Sequence, residues 1–159
     1  MPALPPALDP LDAAGLRAQP EHSDVELVDL DLCAERLTAL SLEAARVKGC
    51  RFAGAELRRL HCAQVVFETC DFANTRWFDC DFNEVAFLAC RFTGASLTGV
   101  ELFNVDLKGC DLRDNELADL KGAGCLRGAT IDALQLLSLG PALAAHVGLV
   151  VEEAGIEEG

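Results

Sequence analysis

The side chains best equipped for chemistry in this 159-residue chain are its eight cysteines and three histidines. Cys50, Cys70, Cys90 and Cys110 stand twenty residues apart. Four thiolates hold zinc when they converge on one tetrahedral ion. Thiols that recur at one long, fixed spacing point in parallel instead, and cannot converge. Parallel Cβ vectors also give the wrong torsion for a disulfide. The expectation is therefore reduced thiols used as small apolar packing. His22, His61 and His146 are far apart, no two have metal-ligand spacing, and His61 is expected to be a surface residue. Gly122 to Gly128 approaches a dinucleotide-binding glycine loop, but its third glycine falls one place late and no strand–loop–helix setting surrounds it. It reads as a turn. The four serines include no nucleophile elbow. The carboxylate pairs Glu152-Glu153 and Glu157-Glu158 read as a solvated tail. No catalytic residue, cofactor or metal is expected, and the chain is expected not to be an enzyme.

What positions the cysteines is a repeat of five. From Leu27 to Leu117 every fifth residue is apolar, nineteen in succession. Two places before each lies a smaller, mostly apolar residue, with Glu35, Thr75 and Asn115 the polar exceptions. Neither the helix period of 3.6 nor the strand period of 2 yields a strict five. A short straight segment followed by a turn does.

A second period of twenty lies above the first, so four pentapeptides make one coil and like positions stack. Phe52, Phe72 and Phe92 form one column; Val25, Ala45, Val65, Val85 and Val105 form another. The outward residues Asp31, Arg51, Asp71, Arg91 and Asp111 step by twenty and alternate in sign. Strands stack about 4.8 Å apart, so this ladder sets opposite charges side by side and penalises a slip of one coil.

The runs Cys-Arg-Phe-Ala-Gly (50–54), Cys-Asp-Phe-Ala-Asn (70–74), Cys-Arg-Phe-Thr-Gly (90–94) and Cys-Asp-Leu-Arg-Asp (110–114) resemble those of pentapeptide-repeat proteins. The resemblance implies an all-β solenoid, a right-handed quadrilateral parallel β-helix with the fifth-position residues pointing inward. Trp77 and Cys62 depart from the usual inward Leu or Phe. Trp77 needs a partner for its indole N–H, and a bulge in the coil is expected there.

The chain divides into a proline-rich N-terminal segment (1–24), the repeat body (25–125) and a C-terminal helical cap with an acidic tail (126–159). The first segment holds five of the six prolines and no five-residue phase. One short helix opening at Asp9-Pro10 is expected there, and otherwise loose chain. After Leu117 the phase slips. Thr130 reads as a helix N-cap, Gly140-Pro141 as a break between two helices, Gly148 as the stop, and Leu149 to Val151 as a short strand. Solenoids need a cap over the last open coil. The cap resembles that of bacterial pentapeptide-repeat proteins, which implies a homodimer contact, with Leu134, Leu137, Leu139 and Leu143 as its residues.

The net charge of −13 disfavours nucleic acid and anionic membranes as partners. No apolar run has membrane length, and the N-terminus reads as lacking a signal peptide, so a cytoplasmic protein is expected. Function is expected on the outer faces. Exposed apolar residues at outward phases, Val66 and Leu88 on one face and Phe78 and Phe103 elsewhere, point to a protein-binding scaffold of unidentified partner. They could instead be covered by the N-terminal segment. The alternative follows from the resemblance to the quinolone-resistance members: an acidic DNA mimic that binds a type II topoisomerase, DNA gyrase, through Glu43, Asp81, Glu84 and Glu101. Against it, the repeat body sums to only −6. Duplex DNA of the same length, roughly 23 Å for 4.75 coils, carries about 14 charges.

Overall fold

Among the described residues, every fifth one turns the chain through a left-handed backbone conformation, as at Asp24, Asp29, Ala34 and Ala39 and on to Asp114. Asn and Asp tolerate this region, while Thr69 and the alanines enter it at a steric cost. Between the turns the chain is extended. The computed structural model describes residues 1–97, 100, 102, 104–117 and 121–152. The elements in chain order are β1 (Asp9–Pro10), α1 (Ala13–Ala18), β2 (Glu21–Ser23), β3 (Val25–Val28), β4 (Arg36–Thr38), β5 (Ser41–Lys48), β6 (Glu56–Arg58), β7 (His61–Glu68), β8 (Arg76–Phe78), β9 (Asp81–Leu88), β10 (Val105–Asp106) and α2 (Ala133–His146), with a 3-10 turn at Ala123–Leu126 before α2.

All pairings are parallel, and within the repeat the register is twenty: Val47 faces Phe67, Phe67 faces Phe87, and Leu57 faces Trp77. Four faces result. The first contains β1, β3, the second halves of β5, β7 and β9, and β10. The second is the bridge series Asp31–Arg51–Asp71–Arg91–Asp111–Thr130. The third is β4–β6–β8, continued by Ser96. The fourth is β2 with the first halves of β5, β7 and β9. The chain is thus a parallel β-solenoid of about five turns with a short C-terminal helix.

The interior is filled by the stacked columns. Phe52, Phe72 and Phe92 lie ring on ring at 4.8 and 5.1 Å, and Phe67 on Phe87 at 4.7 Å. These separations equal the coil spacing, so the backbone ladder and the aromatic stack share one repeat. Trp77 is buried without a bulge: β8 keeps its register, and the indole N–H donates to Thr75 Oγ1 at 2.7 Å. Thr75, a polar exception in the sequence, in turn donates to the Phe72 carbonyl. Cys50, Cys70, Cys90 and Cys110 are buried free thiols. Those of Cys70, Cys90 and Cys110 donate to the carbonyls of Val47, Phe67 and Phe87 in the coil below. Burial pushes the Cys50 thiol up to about 11 and the Cys62 thiol well above the usual range.

Both ends differ from the sequence expectation. Residues 9–24 are an ordered cap. Asp9 and Pro10 form β1 rather than a helix start, because the first coil offers unpaired carbonyls: Asp9 N–H donates to Asp24 and Leu11 N–H to Glu26. Pro10, which has no N–H, sits on that sheet edge, where none is required. The helix begins later, at α1, capped by Asp12, and its Leu16 plugs the open end of the core. At the other end Thr130 extends the second face, pairing with Asp111 at an offset of nineteen. That missing residue is the phase slip. The N-cap is Asp132, in a capping box with Gln135. One helix runs through Gly140-Pro141 to a stop at Gly148. The break does not occur because Gly140 has no Cβ to meet the proline ring, and the bond Pro141 forfeits would have gone to Leu137, which is exposed to solvent. Leu149 to Val151 form no strand.

Candidate functional site

The helix α2 reads Ala-Leu-Gln-Leu-Leu-Ser-Leu-Gly-Pro-Ala-Leu-Ala-Ala-His, with only Gln135, Ser138 and His146 polar. One side closes the solenoid. Gln135 is buried and donates to the carbonyls of Leu112 and Asn115 in the last coil. Leu139 is fully buried and Leu143 half-buried against the same end. These two therefore serve the cap itself. The other sides are bare: Leu134 is 78% exposed, Leu137 76%, and Leu136, Val147, Leu149, Val150 and Val151 are also exposed. Of the four leucines expected at a dimer contact, the structure leaves Leu134 and Leu137 free for one. Leu136, which the sequence reading passes over within the helix, and Val147, Leu149, Val150 and Val151, the last three of which it reads as a strand, join them.

The first face carries the apolar outward residues, and it is covered. Residues 1–8 run across the strands from Glu26 toward Asp106, over Arg46, Val66 and Leu88. Val66 is 3% exposed, Ala86 is buried and Leu88 half-buried. Val66 is therefore not an open contact, and the covering segment is the reason.

On the third face the charges form a knot. The buried Glu56 carboxylate accepts from Arg58 and, at 2.9 Å, from Arg76, with Arg36 at 3.6 Å. The Arg58 guanidinium beside it, with Arg36 and Arg76, holds Glu56 below the usual carboxylate range. Arg58 also lies 4.4 Å over the Phe78 ring, so Phe78 is half-buried by its own neighbour. Glu35, another polar exception, pairs with Arg17 of α1 and ties the N-terminal cap to this face. On the second face the alternating ladder forms ion pairs at Asp31–Arg51 and Asp71–Arg91, while Asp111 turns to Arg113 instead.

The acidic side chains of the fourth face are dispersed. Glu43 is exposed in the second coil, whereas Asp81 and Glu84 lie two coils further on. Asp81 is 3.1 Å from His61 Nδ1, and Glu84 accepts from Gln64. Glu101 and Phe103 lie outside the described residues. Among the described residues no three His, Cys, Asp or Glu side chains are grouped to hold a metal, and no helix is long and apolar enough to cross a membrane.

A family model for the pentapeptide repeat region matches residues 40–117. A search of curated proteins finds no match. Among solved structures the chain is similar to HetL, a pentapeptide-repeat protein involved in heterocyst differentiation regulation from the cyanobacterium Nostoc sp. strain PCC 7120. That match has 15% identity and a TM-score of 0.53, over 64% of this chain and 48% of HetL. This chain thus spans about half of that relative's length. It is also similar to Rfr23 from the cyanobacterium Cyanothece 51142, at 14% identity and a TM-score of 0.49 over 77% and 94% of the two chains. A third match is QnrB1, a plasmid-mediated fluoroquinolone resistance protein, at 16% identity and a TM-score of 0.40 over 83% and 90%. Identities this low speak for fold alone. It is the family model, together with the five-residue phase and its twenty-residue coils, that places the repeat body of this chain among the pentapeptide-repeat proteins.

Proposed function

We propose that the chain is a non-enzymatic protein-binding scaffold that works as a homodimer joined through α2. The carrying observation is the bare apolar surface of that helix. A helix that is apolar on all sides is normally buried on all sides, yet only one side of α2 meets its own solenoid. Leu134, Leu136 and Leu137 near the start of the helix and Val147, Leu149, Val150 and Val151 just after its end are all large exposed apolar residues, of the kind that marks a protein contact. A second copy satisfies them with the same patch on both sides, as a two-fold interface requires. The rest of the rod then remains free for a partner.

Sedimentation velocity of the wild type and of a Leu134→Glu, Leu137→Glu double variant tests this. The wild type is expected at twice the chain mass and the variant at the chain mass with unchanged circular dichroism. A monomeric wild type at tens of micromolar would refute the homodimer.

The topoisomerase reading draws less support. DNA presents about one charge per 1.7 Å, whereas Glu43 and Asp81 are two coils apart and Asp81 has His61 beside it. Pull-down from a bacterial lysate at low and high salt separates the two. A topoisomerase released by salt would favour the acidic face, and a salt-resistant partner the scaffold.

A further inference from the structure

Residues 1–8 are held differently from everything around them. Among the described residues no hydrogen bond or ion pair fixes them to the sheet beneath; the first such bond comes from Asp9. The segment, Met-Pro-Ala-Leu-Pro-Pro-Ala-Leu, has three prolines in eight residues, and proline favours the extended polyproline conformation at itself and at the residue before it. It spans four coil spacings, about 19 Å at 4.8 Å each, close to the ~25 Å reach of eight residues at 3.1 Å. Pro2, Leu4, Pro5 and Leu8 are half-buried against the face, while Met1 stays 83% exposed. The fit is loose: a cleft of about 570 Å³ remains between the segment and Glu26, Arg46, Val66, Glu68 and Leu88.

The surface underneath is shaped for such an occupant. Its outward column reads Glu26, Arg46, Val66, Ala86, Asp106, charged at both ends and apolar only in the two middle coils. Leu88 widens that window. An extended, proline-rich chain lays apolar side chains into such a strip at low entropic cost.

We propose that the middle of the first face is a docking site for a proline-rich extended segment of a partner protein, and that residues 1–8 occupy it in cis as a displaceable stand-in. This rests on the scaffold reading and names the chemistry of a partner. A tethered occupant competes at an effective concentration of order millimolar, so an outside segment binds weakly until the strap is loosened.

The test titrates a fluorescent peptide of residues 1–8 into full-length wild type and into a full-length Leu4→Asp, Leu8→Asp variant. Saturable binding at least tenfold tighter to the variant is expected. Adding Val66→Asp to it should abolish that binding, and a peptide with its three prolines changed to glycine should bind at least fivefold more weakly. Equal affinity for wild type and variant, or no binding to the folded variant, overturns the proposal. Undiminished binding of the glycine peptide overturns its proline-rich specification. Should the variant fail to fold, methyl resonances of Val66 and Leu88 in the wild type at millimolar peptide decide: selective shifts support the site and their absence refutes it. A monomeric result in sedimentation would sink the α2 homodimer and leave this outcome untouched.

Discussion

Phe72 makes ring contacts with Phe52, Phe67, Trp77, Phe87 and Phe92 and is fully buried. Replacing it by alanine removes the centre of the stack and leaves a cavity that the fixed coil spacing prevents from collapsing. The expected cost is about 3–5 kcal/mol by denaturant unfolding; a loss under about 1 kcal/mol would show that the column is not continuous. The inward placement of Phe72 was legible because only a turn every fifth residue produces that period. The three polar exceptions were legible as exceptions, and their partners were not. Thr75 receives the Trp77 indole, Asn115 donates to the Phe92 and Leu112 carbonyls, and Glu35 meets Arg17 from outside the repeat. Each partnership depends on where a carbonyl or another segment lies, which no periodicity encodes.

At the level of elements, Gln135 ties α2 to the last coil by two hydrogen bonds. Gln135→Ala leaves the Leu112 and Asn115 carbonyls without this donor in a buried place, and about 1–3 kcal/mol of stability is expected to go. The lost protection should appear first at the C-terminal end in hydrogen exchange. A variant that melts as the wild type does would mean that water replaces the amide. The end elements were the least legible part of the chain. The proline is tolerated within α2 where Gly140 precedes it without a Cβ and Leu137, whose carbonyl loses its donor, is exposed. The N-terminal segment has no period and read as loose, yet the open edge of the first coil supplies a ladder to any chain that reaches it. The outward phase of Val66, in column with Arg46 and Ala86, is legible in the five-residue period. What the phase could not show is that eight residues without a hydrogen bond lie across it.

For the whole molecule, Glu56 links the third face to pH. Its carboxylate is held below the ordinary value of 4.5 by Arg58 first, with Arg36 and Arg76 adding to it. A depressed folded-state value contributes stability that is present above the unfolded value and lost as pH falls through the folded one. The thermal stability of the wild type is therefore expected to fall as pH drops from about 5 toward 3. Glu56→Gln should start lower at neutral pH, with three guanidiniums facing one another, and lose less over that interval. Parallel curves would show that Glu56 does not carry the effect. The strict coil of twenty residues has a consequence for how such a molecule can change over generations. An insertion of twenty residues adds one storey to the rod and leaves every column above it aligned. An insertion of five keeps each core position apolar but rotates everything beyond it by a quarter turn, carrying the helix α2 to a different side of the molecule. Gene duplications in this architecture thus act like the clicks of an indexed dial: whole coils lengthen the rod, and single pentapeptides re-aim it.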